Sequence, residues 1–159
     1  MTFFSALRRF NLALKPIYSF YCNGGGTSGR GLRTTSFKWS ENPTKRDSVV
    51  SYEQLKAMLA SRSVQLFDIR KPEEFQAGQI PHSVNIPLEQ LEESLQLPLK
   101  AFKRQFKVNA PKKEDNNIVF HCQRGRRSLT ALEIAWRLGF SRARHYAGGY
   151  SEWAEKEKL

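Results

Sequence analysis

The chain has few cysteines, no acidic residue near its start and no long apolar run. Its 159 residues include two cysteines, Cys22 and Cys122, which excludes the disulfide-rich scaffolds of small secreted proteins. The three histidines do not combine with them at a zinc-finger spacing, so we expect no metal site. No stretch of 18 apolar residues occurs, which argues against a membrane-spanning helix and a membrane partner.

Most of the positive charge lies ahead of residue 47. The whole chain carries a net charge of +11. Residues 1–46 hold eight basic residues and one acidic residue, whereas residues 47–159 carry a net +4. A nucleic-acid-binding domain carries its basic residues on the folded surface. We therefore expect no nucleic-acid partner.

The first forty residues contain no acidic residue at all. Early apolar side chains share one helical face there, among scattered arginines and serines, as is typical of a mitochondrial transit peptide. We predict a disordered mitochondrial targeting segment over residues 1–36, a linker over 37–47 and a folded domain over 48–159. The alternatives are a flexible basic tail, an alternative start, or a signal peptide, whose apolar region Arg8, Arg9 and Lys15 would interrupt. Without mitochondrial targeting, the protein is expected in the cytoplasm.

Strand-like and helix-like patterns alternate from residue 49 onward. The predicted strands are 49–50, 64–69, 84–86, 118–121 and 143–146. Helices are predicted after Ser51, from Lys71, over 88–95, 99–108 and 128–138, and after Gly149. This alternation predicts an α/β domain with a mostly parallel central sheet. In such sheets the chemistry lies at the carboxyl ends of the strands.

Two predicted strands end in chemically distinctive side chains. One ends at Asp68 and Arg70, and we expect Arg70 to contact either a substrate or the carboxylates of Asp68 or Glu74. The other ends at Cys122, with His121 before it on the opposite face of the sheet. We take Asp68 and Arg70 as secondary site candidates.

The loop after Cys122 is short and basic. It consists of Gln123, Arg124, Gly125, Arg126, Arg127 and Ser128. Backbone N–H groups in a tight loop before a helix stabilise an anion, so a cysteine placed there ionises readily, and Gly125 permits a positive φ. The pattern predicts a nucleophilic Cys122 with these six residues as its binding loop. The alternatives are a buried inert thiol and, for Arg124 and Arg126, a solvated role.

The chain resembles the rhodanese homology family over residues 48–156. The resemblance is carried by four ordered motifs, at residues 67–70, 74–87, 121–128 and 146–153. It implies a single rhodanese-like domain, with a five-stranded, mostly parallel central sheet flanked by helices. One departure is His82, where the family turn begins with glycine; His82 is expected to adopt an unusual backbone angle.

The same resemblance implies a sulfurtransferase that needs no cofactor. Cys122 would take sulfane sulfur from a small anionic donor, either thiosulfate or a low-molecular-weight persulfide, and hold it as a persulfide against the loop amides. It would pass the sulfur to a thiol, to cyanide or to an acceptor protein. A monomer is expected.

Three rival functions remain open from the sequence. A rhodanese-like phosphatase would need an arginine at the position of Ser128. A non-enzymatic interaction or persulfide-carrier module would keep the fold without turnover. A Cys–His hydrolase would need His82 or His145 to approach Cys122 in space.

Overall fold

A computed structural model describes residues 48–159 of the protein. The predicted targeting segment and linker, residues 1–47, lie outside the described residues. Within the described range, no helix combines the length and apolar character needed to cross a bilayer.

Five parallel strands form a single sheet in the order β1-β5-β4-β2-β3. The strands are β1 Val49–Val50, β2 Gln65–Asp68, β3 Val84–Asn85, β4 Ile118–His121 and β5 Arg144–Tyr146. The helices are α1 Tyr52–Ala60, α2 Pro72–Ala77, α3 Leu88–Leu95, α4 Leu99–Phe106, α5 Arg126–Arg137 and α6 Gly149–Glu157. The predicted α/β domain with a parallel central sheet is confirmed.

The sheet is buried on both faces because β4, at its centre, is apolar on both sides. Ile118 and Phe120 pack in one core with residues of α4 and α5. Val119, which points the other way, packs in a second core with Leu55 of α1 and Trp153 of α6. Strands covered on both faces read as continuous apolar runs, which is why β4 was visible in the sequence.

Local signals set the ends of several helices. Ser51 caps α1 in a capping box with Gln54, as predicted. Pro72 occupies the first turn of α2, where its missing N–H costs nothing. Gly139 follows α5 with a φ of 97°, which a glycine adopts without strain.

Two helix boundaries differ from the prediction by two residues. The helix α5 begins at Arg126, two residues before the predicted start, because Gly125 adopts a φ of 80° and serves as its N-cap. The helix α4 ends at Phe106 instead of residue 108, because Lys107 takes the left-handed conformation. Strand β2 is one residue shorter than predicted at each end, β3 ends one residue earlier, and β5 begins one residue later.

The register of the central strands brings three strand ends to one edge of the sheet. Asp68 of β2 pairs with His121 of β4, which pairs with Tyr146 of β5. The segments that follow these residues therefore lie side by side. They contain Arg70, Cys122 and Gly148, so the fold gathers the predicted site residues at the carboxyl edge of the sheet.

Candidate active site

Cys122 directly follows β4, and the chain turns into α5 within three residues. The left-handed Gly125 makes this tight turn possible. Ser128, in the first turn of α5, returns to Cys122, and its Oγ lies 3.8 Å from the Cys122 Sγ. The six predicted loop residues therefore curve around the sulfur atom of Cys122.

This loop contains backbone N–H groups that have no acceptor among residues 48–159. Within residues 48–159, the backbone N–H groups of Gln123, Arg124 and Gly125 donate to no other group of the protein. The first N–H groups of α5 also lack partners inside the helix, as at every helix start. Together they form a cluster of donors of the kind that binds an anion.

The carbonyls of Cys122 and Gln123 accept hydrogen bonds from the start of α6. Tyr150 N donates to Cys122 O at 2.8 Å, and Ser151 N donates to Gln123 O at 3.1 Å. The contact is close enough that a Cβ on Gly149 would lie 2.5 Å from Cys122 O. These two bonds hold the start of the loop against α6 without using its N–H groups.

A buried ion pair supports the loop from below. Arg70 is 1% exposed and Asp68 is fully buried, with a distance of 2.6 Å between Arg70 Nη2 and Asp68 Oδ2. Of the partners expected for Arg70, the structure shows Asp68. Arg70 also donates to the side-chain oxygen of Gln123 at 3.1 Å and stacks on the ring of Tyr150 at 4.3 Å. The Gln123 amide nitrogen in turn donates to Ser151 at 3.0 Å.

His121 and Cys122 face opposite sides of the sheet, as predicted. Cys122 packs in the same hydrophobic core as Phe120. His121 points to the other side, where its Nε2 lies 3.6 Å from Asp68 Oδ2. Both ring nitrogens of His121 are buried, and neither has a hydrogen-bond partner among residues 48–159. Burial lowers the pKa of His121 to about 4, against the opposing effect of Asp68. His121 is therefore neutral at pH 7 and is not directed at the sulfur.

The three loop arginines have different surroundings. Arg124 and Arg126 are exposed. Arg127 makes a two-pronged ion pair with Glu74 of α2, with distances of 2.6 and 2.7 Å from its two terminal nitrogens to the carboxylate oxygens. Each side chain is about one-third exposed (34% and 32%). Arg127 thus ties the first turn of α5 to the helix that follows β2.

We expect Glu74→Gln to lower the free energy of unfolding by about 1 kcal/mol at pH 7, since the pair is bidentate but partly solvated. The hydrogen bonds from Arg127 lower the pKa of Glu74 from 4.5 to about 2. A lowered carboxyl pKa stabilises the fold above pH 4.5, and this contribution is lost as the pH falls towards 2. Urea unfolding of both proteins across this range measures it.

The matched control for that pair is Glu92→Gln. Glu92 also pairs with an arginine, Arg137, at 2.8 Å, but there the side chains are 49% and 65% exposed. Its loss should cost less than about 0.5 kcal/mol. Equal losses for the two variants would contradict a special role for the Glu74–Arg127 pair.

Several residues of the site were missed by the sequence prediction. Tyr150 and Ser151 belong to a predicted motif, but nothing local indicated that their amides would hold the loop. His145 was named only in the hydrolase alternative; its Nδ1 lies 3.2 Å from Ser128 Oγ. His82 is exposed, and its φ of 63° confirms the expected unusual backbone angle. No group of three or more metal-ligating side chains occurs between residues 48 and 159.

Comparison with known proteins adds a family and its relatives. The model of the rhodanese-like domain matches residues 51–156. Human thiosulfate:glutathione sulfurtransferase is 47% identical over 108 residues, which are 68% of this chain and 94% of that protein. The yeast Saccharomyces cerevisiae protein named thiosulfate sulfurtransferase RDL2, mitochondrial, is 30% identical over 115 residues, 71% of this chain and 76% of that one.

A solved structure also resembles the fold. The human single-domain sulfurtransferase TSTD1 superimposes with a TM-score of 0.67 at 46% identity. The match covers 69% of this chain and 96% of that one.

Proposed function

The chain belongs to the rhodanese-like domain family, and we propose that it is a sulfurtransferase in which Cys122 carries the sulfane sulfur as a persulfide. One observation carries the assignment of the residue. Cys122 follows the central strand and is surrounded by a loop whose first three backbone N–H groups are unused within residues 48–159. Such a cluster of donors stabilises both a thiolate and the terminal sulfur of a persulfide.

The first half-reaction loads the enzyme. The Cys122 thiolate attacks the outer sulfur of thiosulfate and forms a new S–S bond. The S–S bond of thiosulfate breaks, and sulfite leaves with the electron pair. The negative charge then rests on the terminal sulfur of the persulfide, where the N–H groups of Gln123, Arg124 and Gly125 and of the first turn of α5 stabilise it.

The second half-reaction unloads it. An acceptor thiolate or cyanide attacks the terminal sulfur, and the electron pair of the persulfide bond returns to Cys122. A thiol becomes a persulfide, and cyanide becomes thiocyanate. Each step exchanges one sulfur atom between nucleophiles, so ping-pong kinetics without a cofactor are expected.

The surroundings of the loop favour a small anionic donor. Arg124 and Arg126 belong to the loop and are exposed, so their positive charges attract anions at long range. Cys122 itself is 1% exposed, so the group that reaches it is small, as a terminal sulfur atom is. For the acceptor we propose a low-molecular-weight thiol such as glutathione, in keeping with the name of the human relative. An acceptor protein is the alternative.

We further propose that residues 1–36 direct the protein to mitochondria. The acid-free, arginine-containing composition supports this, as does the mitochondrial name of a relative. The proposed site is complete within one chain, so a monomer suffices for the reaction.

Separate assays of the two half-reactions test the proposal. The full chain is mixed with thiosulfate alone, and sulfite is measured together with the mass of the peptide that contains Cys122. We expect one sulfite per chain and one added sulfur atom on Cys122. Addition of glutathione or cyanide should then remove that sulfur and start steady turnover. A folded protein that gains no sulfur from thiosulfate or from glutathione persulfide would contradict the proposal, and loading without discharge would favour a carrier module.

A further inference from the structure

Hydrogen-bonding contacts link the side chains of Cys122, Ser128 and His145. Ser128 Oγ lies 3.8 Å from Cys122 Sγ and 3.2 Å from His145 Nδ1. All three residues are buried, with His145 the most exposed at 6%. The order of the strands creates this arrangement, because β5 lies next to β4 and His145 is in register with Phe120.

The bonding pattern fixes which group donates. The Ser128 hydroxyl has one proton and donates it to Gly125 O at 2.9 Å. Its oxygen can then accept two bonds, one from the Cys122 thiol and one from His145 Nδ1–H. If Nδ1 carried no proton, it would compete with Gly125 for the hydroxyl proton. The geometry therefore assigns the neutral Nδ1–H form to His145, and burial, which lowers the pKa of His145, keeps the ring neutral.

The hydrogen bonds among Cys122, Ser128 and His145 change when the Cys122 thiol loses its proton. Once Cys122 is a thiolate, its sulfur accepts hydrogen bonds and no longer donates. The Ser128 hydroxyl can rotate from Gly125 O to the sulfur, while its oxygen remains held by His145 Nδ1–H. Hydrogen bonds to an anion are stronger than those between neutral groups, so the rotated hydroxyl stabilises the thiolate.

We propose that His145 is a positioning residue for Cys122, holding the Ser128 hydroxyl where it donates to the thiolate. The proposal rests on Cys122 as the proposed sulfur carrier, but its test does not require sulfur transfer. His121, although adjacent to Cys122 in sequence, has no such role because it lies on the other face of the sheet. The charged group that acts on a Cys122 thiolate from α5 is Arg127, and it is retained in every variant.

The test measures the rate at which iodoacetamide alkylates Cys122 in the full chain, with Cys22→Ser in every protein so that one thiol remains. We expect Ser128→Ala to slow alkylation about tenfold at pH 7, the effect of losing one hydrogen bond to an anion. His145→Phe should slow it about fivefold, as for one ordinary hydrogen bond. Both deficits should shrink below about twofold at pH 9.5, where a thiol ionises unaided.

Two further variants separate positioning from packing. His145→Asn retains a side-chain N–H near the place of Nδ1 and should recover most of the lost rate. The double variant with Ser128→Ala and His145→Phe should be no slower than Ser128→Ala alone, because His145 acts through Ser128. The matched control is His82→Asn, at an exposed histidine with a φ that Asn tolerates, and it should react as the parent does. Circular dichroism checks that each variant is folded.

The outcomes are distinct from those of the sulfur-transfer assay. Additive effects in the double variant, no recovery in His145→Asn, or deficits that persist at pH 9.5 would each overturn the role of His145. If the alkylation rates are as expected but thiosulfate adds no sulfur to Cys122, the role of His145 is supported and the proposed function is contradicted.

Discussion

Cys122→Ser should abolish thiocyanate formation from thiosulfate and cyanide, with a loss of at least about 10³-fold in rate. A serine hydroxyl is almost entirely protonated at pH 7, so the loop donors have no anion to stabilise and no S–S bond can form. The added sulfur seen by mass spectrometry should disappear at the same time. Both measurements use the full chain at pH 7.

The fold should tolerate this change. Cys122 is buried, but a serine there can hydrogen-bond to Ser128, whose Oγ is close to the Cys122 sulfur, so we expect the free energy of unfolding to fall by no more than about 1–2 kcal/mol. The control is Cys22→Ser, in the proposed targeting segment, which should keep full activity. Activity that survives Cys122→Ser, or is lost in Cys22→Ser, would contradict Cys122 as the sulfur carrier.

Gly125→Ala should destabilise the domain by at least about 3 kcal/mol and remove most of the activity. The residue adopts a φ of 80°, and a Cβ there would lie 2.2 Å from Ala147 O. The left-handed conformation alone costs a non-glycine residue roughly 1–2 kcal/mol. A clash with backbone adds to this cost, since it is relieved only by moving the loop away from the residues before α6. Urea unfolding and the thiocyanate assay measure the two effects.

Gly139→Ala separates the clash from the backbone strain. Gly139 also has a positive φ, 97°, but the nearest atom to its added Cβ belongs to the flexible side chain of Lys113, at 3.3 Å. We expect a loss of about 1 kcal/mol with unchanged activity per folded molecule. If the two alanine variants lose equal stability and both keep activity, the close packing of Gly125 does not shape the sulfur-binding loop.

The sequence predicts the elements of this fold well where a side chain marks the boundary. Ser51 and Pro72 mark helix starts, and the apolar run that ends at His121 marks the central strand. The start of α5 was placed two residues late because Arg126 and the half-buried Arg127 carry no apolar signal, although both are helical. The helix begins there because Gly125 adopts a positive φ as its N-cap. The sequence indicates only that a glycine can adopt this conformation.

For the site, the sequence identified the loop but not its supports. The sequence offers Asp68 as one of three partners for Arg70, and the two residues are only two positions apart. The contacts of Arg127 with Glu74 and of Ser128 with His145 join residues 53 and 17 positions apart. Such contacts depend on which strands are neighbours, and the order β1-β5-β4-β2-β3 follows from packing across the whole sheet and has no local signature.

The two outer strands also determine how a partner can bind. The described sheet ends in β1 and β3, and each contains only two residues, so little unpaired backbone is available for another chain to extend the sheet. Short edges of this kind protect a protein from intermolecular strand pairing. An acceptor protein that delivers a thiol to Cys122 would therefore dock through side chains at the carboxyl edge, and its specificity would depend on surface charge and shape.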